Sequence, residues 1–168
     1  MGNPTYRRDD TPPPAGPSMR IIRFKANESC NVALIGSKVR GFWTHWSDRT
    51  EPCTEPKEEC VGCLRKWPQR WKGYIHALRE DRMEEGFLEV TRLTKETILE
   101  QVGGEKFLRG ARIKVLRGKG DRTTLRVLLL RGWAAEHQDS PLPNEKDPEE
   151  TLRALFDFRR PKKGEEKS

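Results

Sequence analysis

Short apolar runs dominate the chain from Met19 to Gly132. They are rich in Val, Ile, Thr and aromatic residues and are separated by polar or glycine-containing stretches. Runs of this length and composition are typical of β-strands. The pattern predicts strands over 20–26, 32–44, 70–79, 86–92, 110–117 and 123–131, the last two joined by the turn "GKGD". The sequence therefore predicts a mainly β fold.

One segment, "RLTKETILEQVGG", has helical spacing instead. Thr94 is expected to be the N-cap, Leu93 and Ile98 to form a hydrophobic staple, and Gly103 to end the helix. With the first strand set aside, the chain has three strands, this helix and a closing hairpin. This is the element order of the OB-fold, a five-stranded barrel. We therefore expect an OB-fold-like barrel with one short helix, although other small barrels and sandwiches have similar patterns.

The two ends of the chain differ from this centre. Residues 1–18 contain "TPPPAGP" and few apolar side chains, which predicts a disordered, proline-rich arm. Residues 19–132 form the predicted domain. In 133–168 a linker leads to a short amphipathic helix with Asp147 as its N-cap. The apolar stripe of that helix either docks a protein partner or packs back on the domain, and it consists of Leu152, Leu155 and Phe156.

The segment 45–63 carries four residues with the spacing of metal ligands, H-x7-C-x6-C-x2-C: His45, Cys53, Cys60 and Cys63. The C-x2-C element lets two thiolates reach one tetrahedral ion, for which Zn²⁺ is the best fit. Cys30 is the alternative to His45 as fourth ligand. A redox pair of Cys60 and Cys63 is the alternative to a metal site. The prediction is a zinc-binding loop inserted between the first two strands of the barrel.

Charge and hydropathy restrict the function further. The formal net charge is +7 and the pI about 9.4, which favours a polyanionic partner, although solubility alone also explains an excess of Lys and Arg. No apolar run reaches the length of a membrane span, and "MGNPTYRRDD" lacks the apolar stretch of a secretory signal. We therefore expect a cytoplasmic protein without membrane association, in which clustered cysteines bind metal.

Alternation along the predicted strands separates a cationic side from an apolar side. Trp43 and Trp71 fall on the apolar side and are expected in the core, while His76 is interpreted as an ordinary surface or groove histidine. Cations with interleaved rings are typical of surfaces that bind unpaired nucleic acid. The predicted contact residues are Lys38, Arg40, Phe42, Trp46, Arg65, Lys66, Trp67, Arg70, Lys72, Tyr74, Arg112 and Lys114.

The sequence resembles a known family, the helix-destabilising single-stranded DNA-binding proteins of T-even phages. The resemblance rests on a predicted barrel groove, on a zinc loop with the ligand order His45, Cys53, Cys60, Cys63, and on the aromatic and basic strand that follows this loop. The resemblance covers residues 37–131, with shorter gaps between the ligands. It implies an OB-fold protein that coats single strands in replication, recombination and repair. Both termini depart from the family, because the arm is neutral and the tail is only weakly acidic.

The sequence offers little for catalysis. It has no P-loop, no nucleophile elbow and no carboxylate cluster of the kind a two-metal site needs, and Glu89 stands isolated in a strand. We therefore expect a non-enzymatic, sequence-tolerant single-stranded DNA-binding protein. An RNA-binding OB-fold protein and a zinc-braced protein-interaction subunit are the alternatives.

Overall fold

The structure is a computed structural model in which residues 19–46, 50–54, 56–119 and 125–148 are described. Within these residues, eight strands account for most of the regular structure, which confirms the mainly β prediction. The arm 1–18 and the predicted partner-binding residues Leu152, Leu155 and Phe156 lie outside the described residues. The strands are β1 (Arg20–Ile21), β2 (Ser29–Leu34), β3 (Arg40–Trp46), β4 (Thr50–Pro52), β5 (Gln69–Arg79), β6 (Glu84–Val90), β7 (Arg112–Arg117) and β8 (Leu125–Leu130).

The predicted strand 32–44 is two strands. β2 and β3 pair with opposite halves of the long strand β5, both antiparallel. Between them the N–H groups of Ile35 and Gly36 both donate to the carbonyl of His76, each at 2.9 Å. Two residues therefore face one, which is the geometry of a β-bulge and bends the chain. Gly36 fits there because a Cβ would lie 3.1 Å from the backbone nitrogen of His76.

The sheet is open in the described part of the chain. Its strand order is β1-β6-β5-β2-β7-β8, with β3 paired to β4 and β5 beside this path. Among the described strands, β1 and β6 are the only parallel pair. No pairing joins β6 to β8 among the described strands, so the closed five-stranded barrel expected from the element order is not formed by these residues.

The predicted helix is present as α2 (Arg92–Val102), between α1 (Val61–Leu64) and α3 (Trp133–Glu136). The predicted N-cap was wrong by three residues, because the Thr91 hydroxyl accepts from the N–H of Thr94 at 3.2 Å. Gly103, with φ of 91°, ends the helix in the left-handed conformation, as predicted. Leu93 is 68% exposed, so the predicted staple was also wrong.

The main core lies on one face of the sheet, beneath α2. It is built from β2, β5, β6 and β7 together with the helix, and its central side chains are Val32, Leu34, Ile75, Leu88, Ile98, Ile113 and Val115. A smaller cluster of Met19, Tyr74 and Phe87 covers part of the opposite face. The described residues include no helix with the length and apolar character needed to cross a bilayer.

Candidate metal centre

Four side chains converge at the end of the sheet: His45, Cys53, Cys60 and Cys63. Their ligand atoms all lie within 4.8 Å of one another. The Cys53 sulfur is 3.6 Å from that of Cys63 and 4.0 Å from that of Cys60, and His45 Nε2 is 3.5 Å from the Cys60 sulfur and 3.4 Å from the Cys63 sulfur. The convergence of the predicted ligands is confirmed, and this group could hold a metal ion.

These spacings can be compared with the edges of a coordination tetrahedron. Zinc bonds to sulfur at about 2.3 Å and to imidazole nitrogen at about 2.0 Å. A regular tetrahedron with those radii has edges of about 3.8 Å between two sulfurs and about 3.5 Å between sulfur and nitrogen. The four separations given above, 3.4 to 4.0 Å, fit those edges. The site therefore has room for one ion and a complete set of four protein ligands.

Local backbone structure places each ligand. His45 lies near the end of β3, and β4 pairs back on it, with Glu51 opposite His45. Directly after β4 the N–H of Cys53 donates to the carbonyl of Trp43 at 2.8 Å. Cys60 precedes α1, and its carbonyl accepts from the N–H of Leu64 at 2.9 Å. One helical turn thus brings the sulfurs of Cys60 and Cys63 to the same side.

Gly62, inside the C-x2-C element, is buried against the imidazole of His45. A Cβ at this position would lie 2.3 Å from two ring atoms of His45. Because real Cβ atoms do not approach this closely, any larger residue would displace the ring or the helical turn. Glycine is therefore required here by the close approach of the imidazole. The backbone conformation is not the reason, because φ of Gly62 is not in the left-handed region.

The second ring nitrogen of His45 fixes the orientation of the first. Nδ1 lies 3.2 Å from the carbonyl oxygen of Trp67, which can only accept, so Nδ1 carries the proton and donates. Nε2 then has its lone pair free and directed toward the sulfurs. An imidazole held in this way by a backbone carbonyl is the usual partner arrangement of a histidine metal ligand.

The thiols of Cys60 and Cys63 differ in acidity. Burial acts to raise the pKa of Cys60, but hydrogen bonds from the backbone of Cys63 and Thr54 and from the Thr54 side chain outweigh it and lower the pKa to about 6. At Cys63 burial, followed by the neighbouring Cys53 and Cys60 thiols, raises the pKa to about 11. Once one thiol of such a cluster is ionised, its negative charge disfavours ionisation of the next. A bound divalent cation would offset this repulsion between thiolates.

Cys30 takes no part in the site. It lies in β2 opposite Val115 and is buried in the main core, where burial raises its pKa to about 11. The alternative with Cys30 as fourth ligand was therefore wrong. The redox-pair alternative leaves two facts unexplained, because a dithiol needs neither the third thiol of Cys53 nor the oriented imidazole of His45.

The predicted nucleic-acid contacts fall into three groups by exposure. The exposed side chains are Lys38, Arg40, Trp46, Arg65, Lys66 and Arg70; the half-buried ones are Phe42, Trp67, Lys72 and Lys114; and the buried ones are Tyr74 and Arg112. The structure therefore does not bring all twelve together on one accessible face.

Two of these predictions were wrong because the side chains are buried. The ring of Tyr74 is 1% exposed within the Met19 and Phe87 cluster, and its hydroxyl donates to Glu89 at 2.9 Å. Arg112 is 9% exposed, and its guanidinium donates two hydrogen bonds to the carboxylate of Glu80 in a bidentate ion pair. Neither can reach a ligand in this conformation.

Two further cations already have carboxylate partners. The Lys72 ammonium is 3.0 Å from Glu89, which is therefore not the isolated residue that the sequence suggested. Arg40 lies 3.4 Å from Asp147, in the segment that leads away from α3. A polyanion would have to compete with these carboxylates for both positions.

His76 is 1% exposed, so its assignment as a surface or groove residue was wrong. The N–H of Lys146 donates to Nδ1 at 3.0 Å, which leaves Nε2 to donate to Glu85 at 2.7 Å. Both ring nitrogens of the neutral imidazole therefore have a hydrogen-bond partner. Burial lowers the pKa of His76, and the hydrogen bond with Glu85 opposes this only in part.

Trp43 and Trp71 were expected in the core, and this was wrong for both. Trp43 is 48% exposed and Trp71 is half-buried. They form a cross-strand pair at the end of the core face, beyond Ile75. The sequence does carry a signal for this arrangement, because each strand has a glycine two residues from its tryptophan, Gly41 and Gly73, and such a pair leaves space for a ring.

Comparison with known proteins gives no relative. No protein-family model, no curated protein and no solved structure matches this chain.

Proposed function

We propose that this protein is a non-enzymatic, zinc-stabilised protein that binds single-stranded DNA with little sequence preference, in replication, recombination or repair. The observation that carries the proposal is the convergence of His45, Cys53, Cys60 and Cys63 directly beside exposed basic and aromatic side chains. The resemblance to the T-even phage family remains part of the proposal.

Zinc is the proposed ion because of the donor set. Three thiolates and one imidazole are the Cys₃His set of structural zinc sites, and the separations fit zinc–ligand distances. With four protein ligands no position is left for a metal-bound water. The proposed role of the ion is therefore structural, and bound zinc would hold together a segment that has few apolar side chains of its own.

The proposed DNA contact begins at the segment that follows Cys63. Arg65, Lys66 and Arg70 are exposed and form no ion pair with a carboxylate of the described residues. The Arg65 guanidinium lies 5.5 Å from the ring centroid of Trp67, whose carbonyl accepts from the metal-site residue His45. We infer that these unpaired cations, next to the metal loop, meet the phosphates.

We also propose that the sheet is an OB-fold-like barrel left open on one side. Supporting this are the antiparallel pairs β5–β6, β2–β7 and β7–β8, and the bent β2–β3 segment that pairs with β5 along its length. In such a barrel the loop between the first two strands borders the ligand surface. In the proposed barrel the metal loop, between β3 and β5, would take that position.

The test is titration of fluorescein-labelled oligothymidine, with RNA and duplex DNA of equal length as competitors, on protein of measured zinc content. The proposal expects a 1:1 zinc ratio, preference for the single strand and loss of affinity with salt of about 0.7 log units per log unit for each phosphate contacted. Stronger competition by RNA would assign the same surface to RNA. Absence of single-strand binding at low salt would refute the proposal.

A matched variant pair separates the zinc from the cations. Arg65→Gln with Lys66→Gln should weaken binding and lower the salt dependence while zinc content stays at one. The control is Lys25→Gln with Arg126→Gln, two exposed cations on other strands or turns. Equal effects of both pairs would mean that the metal loop is not part of the contact surface.

A further inference from the structure

We propose that the cross-strand pair Trp43 and Trp71 is the platform on which an unpaired base stacks, with Arg92 and Lys95 as the cations that meet its phosphates. This inference rests on the proposed function, and it moves the ring contact to the strand face opposite the one that the sequence predicted. Trp46, the exposed indole of the sequence-based surface, points from β3 to that other face.

The platform is built on two glycines. Gly41 and Gly73 form the neighbouring cross-strand pair on the same face, and the indole of Trp71 lies against both. A Cβ at Gly41 would be 2.5 Å from the ring, and one at Gly73 would be 2.6 Å from it. Because neither glycine has a side chain, one face of the Trp71 indole packs directly on the backbone of the sheet. A ring seated in this way loses little conformational entropy when a ligand binds.

Trp43 provides the accessible ring. It lies opposite Trp71 in the β3–β5 ladder, and nearly half of its surface is exposed although it occupies the core-side face. The main core ends before this pair, since its members on β5 are Ile75 and Ala77. The carbonyl of Trp43 also accepts a hydrogen bond from the N–H of Cys53. This bond ties the backbone of Trp43 to a residue of the metal site.

The cations above the rings come from the first half of α2. The Arg92 guanidinium carbon is 5.8 Å from the Trp43 ring centroid and 6.0 Å from that of Trp71, and the Lys95 ammonium is 5.4 Å from the Trp71 centroid. Neither forms an ion pair with a carboxylate in the described part of the chain. This sets them apart from Arg40, Lys72 and Arg112, whose charges are already paired.

A cleft of about 250 Å³ extends the positive charge beyond Trp71. Arg23, Arg70, Lys72 and Arg117 line it, against the single carboxylate of Glu89. Because Glu89 already pairs with Lys72 and the Arg117 guanidinium donates to the carbonyl of Phe24, Arg23 and Arg70 remain for an anion. Exposed rings beside unpaired cations are what a single strand requires, with bases on the rings and phosphates on the charges.

The decisive experiment compares Trp43→Ala with Trp46→Ala. These indoles are 48% and 45% exposed and lie on the same strand, but on opposite faces. Loss of one base stack should weaken oligothymidine binding by about 5-fold to about 150-fold for Trp43→Ala. Trp46→Ala should weaken binding less than Trp43→Ala does, and Trp43→Phe should restore most of the affinity because the ring is retained.

A second pair tests the cations independently of the rings. Arg92→Gln with Lys95→Gln should lower the slope of log affinity against log salt by about 1.4, at about 0.7 for each lost phosphate contact. The matched control is Lys106→Gln with Arg126→Gln, two exposed cations elsewhere on the domain. This measurement decides the question even if Trp43→Ala fails to fold, which its thermal melt would reveal.

The outcomes separate the two proposals. Suppose that the wild type binds single strands, and that Trp43→Ala and the double variant Arg92→Gln with Lys95→Gln each bind them as tightly as the wild type. The platform is then wrong and the proposed function stands. If Trp46→Ala alone weakens binding, the sequence-based face is the contact surface and the platform is likewise overturned. If the wild type binds no single strand, the proposed function fails and the platform fails with it.

Discussion

Gly62 lies so close to the imidazole of His45 that a single added methyl group would sit 2.3 Å from the ring. Gly62→Ala should therefore push His45 away from the sulfurs of Cys60 and Cys63, even though alanine favours the helical turn of α1. Disturbed support of a metal ligand typically costs about 10- to 100-fold in metal affinity. Competition with a chromophoric zinc chelator would measure the loss.

Val61 provides the control for that substitution. It precedes Gly62 in α1 and is 50% exposed, so Val61→Ala changes the same turn without approaching the imidazole. Its zinc affinity should equal that of the wild type. Equal affinities of Gly62→Ala and wild type would show that His45 is not a ligand.

Removal of a ligand thiol should release the metal, whereas removal of the core thiol should not. Cys60→Ser is expected to lose zinc on dialysis and to lower the melting temperature, because zinc binding contributes to folding free energy. Cys30→Ala should keep one zinc per chain, since Cys30 is buried opposite Val115. Metal analysis together with thermal melting of both variants gives the comparison. Retained zinc in Cys60→Ser would contradict the assignment of this cluster.

The metal ligands could be predicted from the sequence because their geometry is local. All four lie within residues 45–63, and the helical turn that joins Cys60 to Cys63 follows from their spacing alone. The choice of His45 over Cys30 also follows from sequence separation. Gly62 and the carbonyl of Trp67 could not be predicted as supports, because their contacts depend on how the turn lies against β3.

The sequence correctly predicted which residues share a face of each strand. It did not predict which of these faces other parts of the chain cover. Tyr74 and Lys72 do share a side, yet Met19 and Phe87 cover Tyr74, and Glu89 binds Lys72. Met19 comes from a segment more than fifty residues earlier, so no local pattern reveals the cover. Trp43 shares the core face but lies past its end, and alternation does not tell where a core stops.

A buried arginine makes stability depend on pH through Glu28. The side chain of Arg79 is 1% exposed; its guanidinium donates to Glu28 and, at 2.6 and 2.9 Å, to Asp81. The hydrogen bond from Arg79 holds the pKa of Glu28 below its ordinary value. Its stabilisation is thus full above about pH 4.3 and is lost as pH falls through the lower, folded-state pKa.

Glu28→Gln should accordingly lower the free energy of unfolding by about 1 to 3 kcal/mol at pH 7, because a buried guanidinium loses one charged partner. The difference from wild type should shrink as the pH falls below the folded-state pKa. Urea unfolding at pH 7 and pH 3 measures it. Glu100→Gln, an exposed change on α2, should have no such effect. A loss that is independent of pH would refute the ionic origin.

His76 should produce a second pH dependence, at higher pH. Its neutral ring accepts from the N–H of Lys146 and donates to Glu85, and burial lowers its pKa. Protonation would place a second donor against the Lys146 N–H. The unfolded chain takes up this proton near pH 6.5 while the folded chain resists it, so stability should fall as the pH drops below that value toward the folded-state pKa.

The variant that isolates this effect is His76→Gln. A glutamine can accept and donate as the neutral imidazole does, but it does not titrate. Between pH 7.5 and pH 5.5 the wild type should lose more unfolding free energy than His76→Gln. His137→Gln, a change on the ring stacked 3.8 Å from Trp133, should leave the wild-type dependence in place. If His76→Gln and wild type lose equal stability over this range, the protein does not hold His76 in its neutral form.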